Sequence, residues 1–381
     1  MSPKVSIERC DGYSPEEVMN AMSDALAPLG GIGAFVKPGQ TVLLKPNLIH
    51  TKNAKNGSCT HPSIVCAAAQ LVLQAGGKPI VGDSPGYLSA KAVADKAGLL
   101  EALKPHDVPV VEFDKSVAVA LQDSSMFRDL RIARRVAEAD VVINLPKMKT
   151  HVQMFLTLAV KNMFGAVVGT SKAQWHLKAG RNRDLFARML LEVYRATRPC
   201  LNIMDGVIAV EGRGPTDGDP RKVGLLLASE DGIAMDVVVT KLLGCNIDDL
   251  PTTRVAGDLG IGETRLKEIE IVGASIDEIK VKDFSLPDHH VDLEFGPSHF
   301  RGVLKRLLTA KPAIDHSLCK VCGICAEHCP PRCIEENNGR VMIDSRECIR
   351  CFCCQEMCPQ GAVSVKRSLL LNILYRIGLL S

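Results

Sequence analysis

The arrangement of cysteines constrains this chain more than any other feature. Residues 319–330 read C-K-V-C-G-I-C-A-E-H-C-P and residues 348–359 read C-I-R-C-F-C-C-Q-E-M-C-P. One pattern, C-x2-C-x2-C-x3-C-P, therefore occurs twice, every matched cysteine offset by 29 residues. Ten of the 15 cysteines fall between Cys319 and Cys358, and five are spread over the preceding 318 residues. An odd, clustered set in a large chain is not a disulfide framework and points to metal or cluster ligation in a reducing compartment. Three thiolates two residues apart can wrap three corners of one cubane, while the fourth, followed by a chain-turning proline, is carried to the other cubane. The spacing predicts two 4Fe–4S clusters, with iron held by Cys319, Cys322, Cys325 and Cys358 in one and by Cys348, Cys351, Cys354 and Cys329 in the other. Cys353 is out of register and Cys333 lies beyond the motif, so both are expected to be free thiols. A pair of zinc knuckles is the competing reading, but zinc prefers paired C-x2-C units with His or a long spacer. Between the repeats, Asn338-Gly339 separates two short apolar runs and predicts a hairpin.

The N-terminus, MSPKVSIERCDGYSPEE, is charged throughout and predicts no secretory signal. No stretch approaches the ~20 apolar residues that a membrane span needs. A cytoplasmic protein is expected. A net charge of +3, with no basic run interleaved with aromatics, argues against nucleic acid as a partner.

Over residues 1–275 strand-like and helix-like segments alternate. Expected strands are Val5–Ile7, Thr41–Lys45, Pro79–Gly82, Val108–Glu112, Asp140–Asn144, Leu201–Met204, Val223–Ala228 and Ile269–Val272. They are short and rich in Val, Ile and Leu, as in strands covered on both faces. Ser14-Pro15-Glu16-Glu17 is a helix start, with Ser as N-cap and Glu three residues on, and this helix should end in Gly30-Gly31. Further helices are expected over 62–75, 183–196 and 231–243. The fold class that follows is α/β: a Rossmann-like, largely parallel sheet domain (1–275), then a linker (276–312), a small α+β dicluster ferredoxin-like domain (313–365) and an amphipathic tail (366–381).

Ligands in open parallel sheets sit beyond the carboxyl ends of strands. The polar residues there are Lys45, Asp83, Lys147, His151 and Asp205, and Lys161 is a charge inside the apolar run A-V-K-N-M-F-G. These six are the candidate catalytic residues. Lys45, Lys147 and Lys161 would neutralise an anionic substrate, and Asp83, His151 or Asp205 would donate or accept a proton. The bland alternatives are a capping turn at Asp83 and a solvated loop around Lys147 and Lys149. His61, His151 and His176 are too far apart in sequence for spacing to argue a metal site. Walker, GxSxG and HExxH signatures and a GxGxxG after a strand are missing, and Gly30-Gly31-Ile32-Gly33 precedes a strand, the wrong context for a dinucleotide fingerprint.

Residues 313–365 resemble the bacterial dicluster ferredoxin, which implies low-potential single-electron transfer. The larger domain carries K-P-N-L (45–48), T-H-P (60–62), G-D-S-P-G (82–86), N-L-P-K-M-K-T-H (144–151), T-L-A-V-K-N-M-F-G (157–165) and M-D-G-V-I-A-V-E-G-R-G-P (204–215). These motifs resemble the domain-of-unknown-function family 362, many of whose members end in a ferredoxin domain. The resemblance implies an architecture and no reaction. At a distance the fold is also similar to that of the nickel-pincer lactate racemases, whose metal-binding motif does not map onto this sequence.

Two functions follow. One is a redox enzyme, an oxidoreductase whose clusters exchange electrons with an anionic small molecule in the crevice and with a redox partner protein. The other is an electron carrier or adaptor whose α/β domain only docks a partner. In the tail, Ser368, Asn372 and Arg376 form one polar stripe in an otherwise apolar helix. Such a stripe suits packing on the protein itself, a subunit interface or peripheral membrane contact.

Overall fold

The computed structural model describes residues 2–49, 57–86, 88–119, 127, 129–169, 171–287 and 310–366. The strands are β1 (Lys4–Arg9), β2 (Thr41–Pro46), β3 (Lys78–Asp83), β4 (Val110–Glu112), β5 (Ser116–Ala118), β6 (Arg131–Ala133), β7 (Val141–Leu145), β8 (Lys147–His151), β9 (Phe155–Thr157), β10 (Leu201–Arg213), β11 (Asp217–Ser229) and β12 (Glu270–Gly273). All but β5 and β6 join one ten-stranded sheet in the order β12-β1-β11-β10-β7-β2-β3-β4, with β8 and β9 branching from the far half of β10. β7, β2, β3 and β4 run parallel, as does β10 beside β7, while β11 is antiparallel to both of its neighbours. This is the mixed α/β, largely parallel sheet that the alternation predicts.

Both faces of the sheet are covered, which is why its strands read as unbroken apolar runs. Val42, Leu44, Val81, Ile143 and Leu145 pack into one buried layer with apolar residues of the helices Pro15–Leu26 and Pro62–Gln74. Leu43 and Val142 point the other way, into a layer with residues of the helices Arg183–Thr197 and Pro251–Leu259. The caps are those the sequence announces. Ser14 Oγ accepts from Glu17 N at 3.3 Å, and Gly30 takes a φ of 90° where the first helix stops. His61 caps the helix Pro62–Gln74, its Nδ1 accepting from Ser63 N at 3.2 Å.

Residues 147–151 depart from expectation. They form a fully buried strand and not a solvated loop. Pro146 has no N–H to continue the β7 ladder. Beyond it the chain shifts onto β10, where Lys147 opposes Asp205 and Lys149 opposes Val210.

The first part of the expected linker is folded. A short helix over Ile276–Ile279 follows β12, and Ile276, Ile279, Val281, Phe284 and Leu286 pack into the core beside the helix Gly232–Leu242. Most of the basic stretch 301–311 and nearly all of the tail lie outside the described residues. Among the described residues no helix is long and apolar enough to cross a membrane.

The cysteine-rich module holds β13 (Lys311–Ile314), β14 (Ile334–Asn337), β15 (Arg340–Ile343) and β16 (Val363–Lys366), with β13 antiparallel to β16 and β14 to β15. Asn338 (φ 52°) and Gly339 (φ 75°) form the predicted two-residue hairpin turn, which needs positive φ at both positions. The module docks through its second cysteine run. Phe352 is buried with Val152 and Ala310, Arg181 donates to Cys348 O at 2.7 Å, and Gln355 Nε2 donates to Arg213 O at 3.3 Å.

Candidate functional site

The carboxyl ends of β2 and β3 open on a cavity of about 100 Å³. On its floor Lys45 Nζ lies 2.8 Å from Asp83 Oδ1, and both side chains are buried. The pair is fully engaged: Lys45 also donates to Pro46 O at 2.8 Å, and Asp83 Oδ2 accepts from Leu48 N at 2.8 Å. Burial pushes the Lys45 ammonium down, and Asp83 opposes the shift. Gly165 makes room for the pair, because a Cβ there would stand 1.9 Å from Asp83 Oδ1.

Three further lysines reach the same cavity. Lys149 donates to Asn47 Oδ1 at 2.6 Å and to Ser58 O at 3.1 Å, both neutral oxygens, and burial lowers its ammonium to about 7. Lys172 donates to Ser84 O, and burial lowers it to about 8. Lys161 makes no hydrogen bond or ion pair among the described residues, and burial lowers it too, opposed by Glu356. Thr157 Oγ1 and His176 Nδ1, on residues of the same wall, are buried without a partner among the described residues. Buried polar groups are ordinarily hydrogen-bonded. Two such groups beside the unengaged Lys161 ammonium fit a polar ligand.

Of the six candidates, Lys45, Asp83 and Lys161 line this cavity, and the other three do not. Lys147 and Asp205 form their own buried pair at 2.8 Å. Asp205 accepts from Tyr13 Oη at 2.8 Å and from His61 N at 2.9 Å as well. That network is satisfied and holds the first two helices to the sheet. His151 meets Glu356 of the cysteine-rich module, Nε2 to Oε1 at 3.0 Å. Gln153 N and Met154 N donate to His151 Nδ1 at 3.1 and 3.2 Å, so the proton sits on Nε2 and is given to Glu356. Burial, then Lys161, lowers His151 to about 4, keeping it neutral. Burial disfavours ionised Glu356, but the His151 hydrogen bond and Lys161 outweigh it and hold the carboxyl at about 2. Cys353, Glu356 and Met357 complete the cavity wall from the module's side.

Within the module, Cys319, Cys322, Cys325 and Cys358 line one small cavity. The Cys354 thiol has those of Cys351, Cys348, Cys325 and Cys329 around it, and burial and these neighbours push it up. An all-sulfur lining around a void and a second gathering of thiols fit iron–sulfur ligation. Neither thiol left out by the spacing is remote: Cys333 Sγ is 3.5 Å from Cys329 Sγ, and Cys353 is hydrogen-bonded to Cys351.

Residues 42–241 match the family described as Domain of unknown function (DUF362). Over 307 residues the chain is 43% identical to a thylakoid-associated protein of Synechocystis sp., covering 80% of this chain and 94% of that one. The chain belongs to the DUF362 family. A stretch of 56 residues, 14% of the chain, is 38% identical to an uncharacterized ferredoxin of Methanocaldococcus jannaschii and covers 90% of it. The C-terminal module is thus ferredoxin-like and of the iron–sulfur type. Among solved structures, the lactate racemase apoprotein from Thermoanaerobacterium thermosaccharolyticum aligns with a TM-score of 0.36 and 12% identity. That alignment covers 55% of this chain and about half of that one, 51%.

The DUF362 match contains Lys45, Asp83, Lys149, Lys161, Lys172 and His176, and it ends before Cys353 and Glu356. The cavity is therefore built by the family domain and closed by the ferredoxin-like module. Lys149, Thr157, Lys172, His176 and Glu356 escape sequence reasoning, since no local spacing connects them. Only the apolar surroundings of Lys161, the signal that singles out that residue, could have pointed to this wall.

Proposed function

We propose that this protein is a redox enzyme that holds a small anionic molecule between its sheet domain and its ferredoxin-like module. One observation carries the reading: unengaged Lys161, Thr157 and His176 of the family domain share a cavity wall with Cys353 and Glu356 of the module. A cavity that served only to dock a partner would have no need of unengaged polar groups along its wall.

The residues that would hold two 4Fe–4S clusters are Cys319, Cys322, Cys325 and Cys358, and Cys348, Cys351, Cys354 and Cys329. When bound, such clusters supply one-electron transfer. The chain's own groups do the rest. Lys161 Nζ and Thr157 Oγ1 bind the anion. Lys149 and Lys172, with ammonium groups lowered to about 7 and about 8, can hold or release a proton at Nζ near neutral pH. The Lys45–Asp83 pair sets the floor, and the His151–Glu356 hydrogen bond keeps the module against the cavity and water out of it. Electrons would come from, or go to, a separate redox protein. The odd, clustered thiols suit a reducing, cytoplasmic face, and the thylakoid-associated relative suits a place beside a membrane.

The test uses anaerobically purified full-length protein, reduced and freed of reductant. Carboxylate and phosphate compounds are screened for a rise in Tm and for reoxidation of the reduced chain. The reading expects at least one such anion to do both, and Lys161→Ala to abolish both with the cluster spectrum intact. If no anion binds, and Lys161→Ala, Lys172→Ala and Thr157→Val all support wild-type function in cells, the α/β domain is a docking domain.

A further inference from the structure

His176 lies on the helix Ser171–Ala179 of the family domain, facing the second cysteine run across the junction. Its ring is fixed from two sides, stacked on Phe186 with centroids 4.3 Å apart and edge-on to Phe164 at 5.7 Å. Its Nδ1 is buried and has no hydrogen-bond partner among the described residues. A ring nitrogen of His176 and the Sγ atoms of Cys351 and Cys353 all lie within 4.8 Å of one another, and all three residues are buried. An imidazole held rigid, with a ring nitrogen beside two thiols, is a metal-ligand arrangement that spacing in the sequence could not reveal.

We propose that His176, Cys353 and Cys351 bind one divalent first-row transition ion, distinct from the cluster iron, with a coordination position left open to the lysine-lined cavity. Two sulfurs and an imidazole suit zinc, cobalt, nickel or iron(II), whereas magnesium and calcium require oxygen donors. Four-coordinate zinc stands about 2.0–2.3 Å from nitrogen and sulfur ligands, so donors this close reach one ion through small side-chain rotations. Three protein ligands with a fourth position open is the pattern of sites that bind exchangeable molecules; structural sites are closed. His176 and Cys353 both line the cavity, so the open position meets the space into which Lys161 and Lys172 project. A bound ion would there take an oxygen of the anion that the lysines attract. Cys351 would serve the ion and the second cluster together as a bridging thiolate, and in that one respect the inference rests on the cluster assignment above.

The experiment is equilibrium dialysis of the cluster-loaded, full-length chain against zinc, with zinc, iron and sulfide then counted per chain. The expected result is one zinc beyond the cluster iron, lost at least tenfold in affinity in both Cys353→Ala and His176→Gln while iron, sulfide and the visible spectrum stay at wild-type values. X-ray absorption at the zinc edge should find two sulfur neighbours and at least one nitrogen. The inference is overturned if the wild-type chain retains no zinc, if both variants retain it, or if the zinc has only oxygen and nitrogen neighbours. A chain that binds anions and carries its clusters but holds no zinc would leave the proposed function standing and remove the ion.

Discussion

His151 Nε2 lies 3.0 Å from Glu356 Oε1, a side-chain hydrogen bond between the sheet domain of the protein and its cysteine-rich module beside the cavity. Two backbone N–H groups on Nδ1 leave the imidazole no other use for its Nε2 proton. Glu356→Ala should therefore strand a buried donor and cost about 1–3 kcal/mol, while Glu356→Gln, which keeps an acceptor, should cost less. Urea unfolding followed by cluster absorbance measures both. Equal losses in the two variants would mean that the contact is incidental.

The Lys45–Asp83 pair predicts a larger effect. Removing one partner of a buried ion pair costs about 3–5 kcal/mol, because the other charge is left without compensation. Asp83→Ala also frees Leu48 N from its acceptor. Gly165→Ala should destabilise by a different route, pressing a methyl group onto Asp83 Oδ1 and Lys45 Nζ. Thermal melts of the three proteins should rank both variants well below wild type.

Anion binding should weaken as pH rises. Lys149 and Lys172 have ammonium groups lowered to about 7 and about 8 by burial, so the free cavity loses positive charge through that range. A bound anion favours the protonated amines, so binding takes up protons, and affinity falls by up to about tenfold per pH unit for each amine that must be reprotonated. Calorimetric titration with oxalate or phosphate between about pH 6 and about pH 9, in buffers of different ionisation enthalpy, reads the proton uptake. Lys149→Met should remove the lower step of the profile.

Cys333 should substitute for a lost neighbour. Its Sγ is 3.5 Å from that of Cys329, and its thiol is also hydrogen-bonded to Cys348. Cys329→Ala is expected to keep most of its iron, whereas the Cys329→Ala/Cys333→Ala double variant should lose or convert one cluster. Iron and sulfide analysis with EPR decides the point. Cys354→Ala, whose neighbour Cys353 is engaged with Cys351, should behave like the double variant.

The sequence alone determined whatever depends on local spacing. A thiolate every third residue, followed by Cys-Pro, reports a ligand set because so few backbone paths present such a set. The caps at Ser14 and His61, the Asn338-Gly339 turn and the eight short apolar runs are likewise decisions made within a few residues. Tertiary structure decided which polar residues meet. Lys147 and Lys149 are two residues apart on β8, yet one is neutralised by Asp205 and the other donates to neutral oxygens beside the cavity. His151, at a strand end, meets Glu356, which lies 205 residues away. His176 gains its meaning only where its helix faces Cys351 and Cys353. The physical reason is the same in each case: in a buried site a charge or an idle nitrogen is defined by its partners, and the fold supplies those partners from distant parts of the chain.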